Sequence, residues 1–124
     1  MSRMLSGKLA DPLDGNGLPP ELARMMHNAP RASAFLKAMA HQNRLLLLCL
    51  LSERERSVSE LEDLLALRQT TVSQQLARLR LDGLVTTRRD GKTIYYSLAD
   101  RRTRKFLKMM YQLFCDGEGA PKRA

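Results

Sequence analysis

A chain of 124 residues, 44% of them apolar, has the material for one small domain with tails. It has no Trp, few aromatics and abundant Leu, which favours helices over a β-sandwich, and it lacks both an apolar run of the roughly 18 residues that span a bilayer and an apolar signal core, so a cytoplasmic chain with no membrane partner and reduced thiols is expected. The formal charge of +8 is uneven: Arg68 to Lys105 holds ten basic residues against three acids, a concentration that suits either a solvated face or a polyanionic partner.

Met1 to Leu18 reads as a flexible arm, broken by Asp11-Pro12, Gly15-Asn16-Gly17 and Pro19-Pro20. Pro20 suits the first position of a short helix, Glu21 to His27, with Leu22, Met25 and Met26 on one side. Asn28-Ala29-Pro30 predicts an interruption before a second helix, Arg31 to Ala40, apolar at Ala34, Phe35, Ala38 and Met39. Asn43 is placed to cap Arg44 to Ser52, which is apolar nearly all round and so predicts a helix buried at the centre of the domain.

Ser57 followed three residues later by Glu60 is a capping-box signature for a helix over Val58 to Leu65, with Leu61, Leu64 and Leu65 as its apolar stripe. Ala66-Leu67-Arg68 forms a turn, and the helix after it is apolar at Val72, Leu76 and Leu79 and stops at Asp82-Gly83. Leu84 to Thr87 and Thr93 to Ser97 read as strands of a hairpin around Arg88-Arg89-Asp90-Gly91-Lys92, since Asp-Gly is a strong turn signal. Tyr95 and Tyr96 alternate across the second strand, so one of them faces the core. A last helix, Arg101 to Cys115, is apolar at Phe106, Met109, Met110, Leu113 and Phe114, and Gly117 opens a frayed tail. The expected division is a flexible arm over 1–18, a folded domain over 19–116 and a flexible tail over 117–124.

The helix after the turn exposes Gln69, Thr70, Thr71, Ser73 and Gln74 opposite its apolar stripe. Small hydroxyl and amide side chains on one helix face pair with base edges and phosphates without filling the major groove. The same residues would also serve as caps and solvated surface, but their place between a tight turn and an Arg-rich hairpin favours duplex DNA.

Together, Leu36 to Leu45, Thr71 to Arg80, Asp82 to Val85 and Arg88 to Leu98 resemble the ArsR family of bacterial repressors over about Ser33 to Cys115. The resemblance implies a mainly α winged helix-turn-helix with a small β-hairpin wing, a homodimer through its terminal helices, and double-stranded operator DNA as partner. It assigns DNA contact to Gln69, Thr70, Thr71, Ser73 and Gln74, and phosphate or minor-groove contact to Arg88, Arg89 and Lys92. Arg68 departs from the Ser or Thr that caps this helix in many members; it has no oxygen to cap with, but its charge suits a phosphate.

Many members sense metal, yet Ser57 to Leu64 has no Cys, the start of the last helix has no His, and His27 and His41 are the only histidines. Four ligands cannot be assembled, so no metal and no cofactor is expected. No nucleophile with a base partner and no phosphate-cradling loop is evident, so no enzyme is expected. Taken alone, Cys49 inside a Leu run reads as a small buried hydrophobe, and Cys115 sits at the helix end whose dipole disfavours a thiolate. Their contexts, Leu48-Cys49-Leu50 and Leu113-Phe114-Cys115, resemble the sulfide- and persulfide-sensing branch of the family. That resemblance implies a redox pair, with persulfides as inducer, whose linkage releases the operator of sulfide-detoxification genes. A general peroxide sensor using the same pair, and a non-specific DNA-binding or interaction protein with structural cysteines, are the alternatives.

Overall fold

The computed structural model describes residues 17–116; most of the expected arm and the tail over 117–124 lie outside the described residues. The elements in order are α1 (Pro20–Met39), α2 (Gln42–Glu53), β1 (Arg56–Ser57), α3 (Val58–Leu65), α4 (Gln69–Leu81), β2 (Val85–Asp90), β3 (Thr93–Leu98) and α5 (Arg101–Phe114). The chain divides into two units, one ending at Lys37 and the other starting at Ala38.

The first unit is the body of α1. The break expected at Asn28-Ala29-Pro30 does not occur, and one helix runs through Pro30. Proline removes one backbone donor, but Asn28 is bound into the helix surface: its Nδ2 donates to the Arg24 carbonyl at 2.8 Å and its Oδ1 accepts from Arg31 at 3.0 Å. The asparagine thus satisfies itself inside helical geometry instead of drawing the backbone into a turn.

In the second unit α2 supplies the centre of the core. Its cap is His41 rather than the expected Asn43: Nδ1 of His41 accepts from the Asn43 backbone N–H at 3.2 Å. Leu47, Leu48 and Leu51 are fully buried, but Leu46 is 39% exposed and Cys49 and Leu50 are half-buried, so the expected all-round burial is corrected to one face of the helix. Leu61 of α3, Val72, Leu76 and Leu79 of α4, and Leu107 of α5 pack into the same core. Each such leucine contributes about 1.5–3 kcal/mol by leaving water. The stripe of α3 is narrower than expected, since Leu64 is 53% exposed.

Arg56 closes α2. Its Nε donates to the Leu50 carbonyl at 3.1 Å and its guanidinium meets Glu53 at 2.6 Å, which satisfies a carbonyl in the last turn of the helix. Arg56 and Ser57 form a strand that the pattern of the sequence does not announce, pairing antiparallel with Tyr96 and Tyr95. The sheet order is β1-β3-β2. In β2–β3, Val85 pairs with Leu98 and Asp90 with Thr93, so the hairpin loop is Gly91-Lys92 and β2 includes Arg88, Arg89 and Asp90, three residues expected in the turn. Gly91 has φ +65°, which a tight two-residue loop requires at its first position.

Candidate nucleic-acid interface and thiol pair

The interface begins with the helix pair α3–α4. Ser57 Oγ accepts from the Glu60 N–H at 3.2 Å while Glu60 Oε1 accepts from the Ser57 N–H at 2.9 Å, so the expected capping box is formed in full. At the other end of α3, Ala66 adopts the left-handed conformation, φ 54°, and its N–H donates to the Glu62 carbonyl. This turns the chain within three residues into α4.

Arg68 is the N-cap of α4 in extended conformation, with no side-chain cap, as expected of a residue without an acceptor oxygen. Val72, Leu76 and Leu79 anchor the helix and fix its rotation. Gln69, Thr70, Ser73 and Gln74 are exposed and Thr71 is half-buried. The helix therefore presents amides and hydroxyls outward, with the unpaired N–H groups of its first turn beside Arg68.

The wing stands next to this helix. A depression of about 320 Å³ is lined by Ser57, Ser59 and Glu62 on one side, Gln69 of α4, and Lys92, Thr93 and Ile94 of the hairpin. It brings together Gln69 of α4 and Lys92 of the hairpin, two of the residues nominated from the sequence. Arg89 and Lys92 are exposed and have no acidic partner among the described residues. Arg88 differs: its guanidinium forks onto the carboxylate of Glu55 and lies over the Tyr95 ring, 4.7 Å from the centroid. This bond holds the Glu55 carboxyl below its ordinary pKa and raises that of Arg88. Sequence reasoning missed Glu55, which stands 33 positions from its partner, with no local signal linking them.

The cysteines occupy another part of the second unit. Both are free thiols, Cys49 half-buried on α2 and Cys115 exposed as the C-cap of α5. A cleft of about 390 Å³ runs between these helices, lined by Cys49, Ser52 and Glu53 of α2 and by Arg104, Leu107, Lys108 and Tyr111 of α5. The Arg104 guanidinium donates to the Ser52 carbonyl and so ties α5 to the end of α2. The Cys115 N–H donates to the Tyr111 carbonyl at 2.7 Å, one turn beyond the cleft. Burial pushes the Cys49 thiol pKa up, and the charges of Cys115 and Glu53 push it further in the same direction. Cys49 thus lines the α2–α5 cleft, and Cys115 caps the end of α5 beyond it. Among the described residues no group of three or more His, Cys, Asp and Glu could hold a metal ion, and no helix is long and apolar enough to cross a membrane.

Residues 41–87 match the model of the bacterial regulatory protein arsR family. The chain is 41% identical over 99 residues to the transcriptional activator HlyU of Vibrio cholerae, covering 80% of this chain and 92% of that one. It is 43% identical over 110 residues to the biofilm growth-associated repressor of Agrobacterium fabrum, covering 89% and 92%. The crystal structure of the transcriptional repressor BigR from Xylella fastidiosa superposes with a TM-score of 0.72 at 40% identity, over 75% of this chain and 95% of that one. The fold described above is shared with these winged helix-turn-helix regulators.

Proposed function

Because the chain belongs to the ArsR family of bacterial transcriptional regulators and is no enzyme, we propose that it is a dimeric repressor of sulfide- and sulfur-detoxification genes, released from operator DNA when Cys49 and Cys115 become linked. The observation that supports the reading is the position of the two thiols: Cys49 lines the cleft between α2 and α5, and Cys115 caps α5 one turn beyond Tyr111, which lines the same cleft.

Exposed Cys115 is the first to react. Its thiolate attacks the outer sulfur of a low-molecular-weight persulfide, RS–SH; RS⁻ leaves and Cys115 becomes a persulfide. The Cys49 thiolate then attacks the inner sulfur of that group, forms the disulfide and expels HS⁻. The persulfide is the oxidant: RSSH and two thiols become RSH, H₂S and one disulfide. A second equivalent of RSSH, which gives up its outer sulfur and leaves as RSH, supplies the extra sulfur of a trisulfide bridge, so that two RSSH and two thiols become two RSH, one H₂S and one trisulfide. Either bridge ties α2, at the centre of the core, to the end of α5. A small shift of the paired α4 helices then prevents both from docking at once, because half-sites lie about one helical turn, 34–36 Å, apart.

In the bound state Gln69, Thr70, Thr71, Ser73 and Gln74 meet base edges and neighbouring phosphates, with Arg68 and the wing on the backbone. The experiment is persulfide treatment of reduced protein, followed by mass mapping and a gel-shift assay with the native promoter fragment. A Cys49–Cys115 bridge that releases DNA, and is lost in Cys49→Ser and in Cys115→Ser, is expected. A normal response in either single variant defeats the thiol assignment. A bridge formed by peroxide with only a loss of two hydrogens, and none by persulfide, assigns the general peroxide reading. Equal affinity for promoter and random duplex at the same salt assigns the non-specific one.

A further inference from the structure

Arg88 and Arg89 are neighbours on β2 with different surroundings. In the β2–β3 register Arg88 stands opposite Tyr95 and Arg89 opposite Ile94, so the two arginines leave opposite faces of the hairpin. Arg88 lies over the Tyr95 ring, with Nε 2.9 Å from Glu55 Oε2 and its terminal amine 2.5 Å from Oε1. Glu55 is outside the hairpin, in the segment between α2 and β1. The fork therefore joins the wing to the corner that follows the central helix. Arg89, one residue on, has no acidic partner among the described residues, and neither has Lys92.

A guanidinium whose paired N–H groups already face a carboxylate has to leave that carboxylate before it can fork onto a phosphate. Here it would also leave the aromatic face. We propose that Glu55 is a positioning residue for DNA binding: it keeps Arg88 as a strut that sets the wing, and leaves the wing's phosphate contacts to Arg89 and Lys92. The proposal rests on the DNA-binding reading and refines it, moving Arg88 from ligand to support.

The test is the slope of log binding constant against log salt, measured by fluorescence anisotropy with the reduced full chain and a mixed-sequence duplex. Each phosphate neutralised by a side chain contributes about 0.9 to the slope. Arg89→Ala is expected to lower the slope by about 0.9 per protomer. Arg88→Ala is expected to weaken binding several-fold at every salt concentration with an unchanged slope. Glu55→Gln, which releases Arg88 to find a phosphate, is expected to raise the slope by up to about 0.9 per protomer, and Glu55→Asp to restore the original value. The three positions changed lie at the surface, Arg88 and Arg89 exposed and Glu55 half-exposed, and thermal melts check that each of the four variants is folded. A slope that falls in Arg88→Ala as far as in Arg89→Ala overturns the proposal, as does a slope unmoved by Glu55→Gln. Wild-type protein with no salt-dependent duplex binding defeats the DNA-binding reading itself, whereas slope differences among the variants bear on Glu55 alone.

Discussion

Cys115 raises the pKa of Cys49 across the α2–α5 pairing, adding to the larger effect of burial and to a third contribution from Glu53. A raised thiol pKa means little thiolate near neutral pH, and thiolate is the reactive form. Under limiting iodoacetamide near neutral pH, Cys115 is therefore expected to be alkylated before Cys49, as read by peptide mass spectrometry. Removing Cys115 deletes one of the raising charges, so in Cys115→Ser the alkylation profile of Cys49 moves to lower pH. Glu53→Gln moves it the same way. A Cys49 profile that ignores both changes would mean that burial alone controls this thiol.

The reciprocal bonds of Ser57 and Glu60 make a second prediction. Loss of an N-cap hydroxyl costs about 1 kcal/mol, in a range of about 0.5–2, so Ser57→Ala is expected to lower the unfolding free energy by that amount, read as a lower urea midpoint with the slope of the transition unchanged. The bond from the Ser57 N–H, then Arg54, holds the Glu60 carboxyl below its ordinary pKa. The folded chain thus binds the Glu60 proton less readily than the unfolded chain. That stabilisation is complete above the ordinary carboxylate pKa of about 4.3 and is lost as pH falls below it toward the folded value. The stability gap between wild type and Glu60→Gln should accordingly close on acidification; a gap that widens in acid contradicts the assignment.

What the sequence made legible is what neighbours in the chain decide. The capping box of α3 needs four consecutive residues, and the core stripe of α4 needs only the helical repeat; both stand as read. The readings that failed depend on partners elsewhere. Asn28-Ala29-Pro30 has the composition of a break, but the Asn28 side chain finds the Arg24 carbonyl and the helix continues. Two residues, Arg56 and Ser57, become a strand only because Tyr95 and Tyr96 lie beside them. The Arg88 fork is hidden for the same reason, since an acid in a connecting segment and an arginine in a hairpin share no periodicity. In α2, a run of leucines reveals apolarity but not which side the fold covers, and Leu46 stays exposed.

On the proposed reading, the cap and the middle of α4 would divide backbone binding from base reading. Gln74 is exposed on the helix and has the amide needed to pair with an adenine edge, whereas Arg68 at the cap is a charge beside the first-turn N–H groups. Gln74→Ala is expected to cost about 1–3 kcal/mol on the preferred promoter sequence and little on random DNA, with the salt slope unchanged. Arg68→Ala should weaken both duplexes alike and lower the slope by about 0.9 per protomer. Competition binding at several salt concentrations distinguishes them. Equal losses on both duplexes for Gln74→Ala would place that residue on phosphate.

The outer side of α5 bears on the proposed dimer. Leu107 and Thr103 face the core, while Leu113 and Phe114 are 67% and 70% exposed, with Met109 and Tyr111 also open to solvent. An apolar strip of this size on a single helix is unfavourable in a lone chain and is covered when two such helices pack. The proposed dimerisation through the terminal helices would account for it, and would let a bridge at Cys115, the residue after Phe114, be felt by the partner. Leu113→Asp with Phe114→Asp puts two charges into that contact. Analytical ultracentrifugation is expected to find the wild type dimeric and the double variant monomeric at micromolar concentration. Loss of duplex affinity should accompany the change, since one protomer reaches a single half-site. The α2–α4 core does not involve these side chains, so the helical circular dichroism signal should persist. A double variant that still sediments as a dimer would move the interface to another face of the molecule.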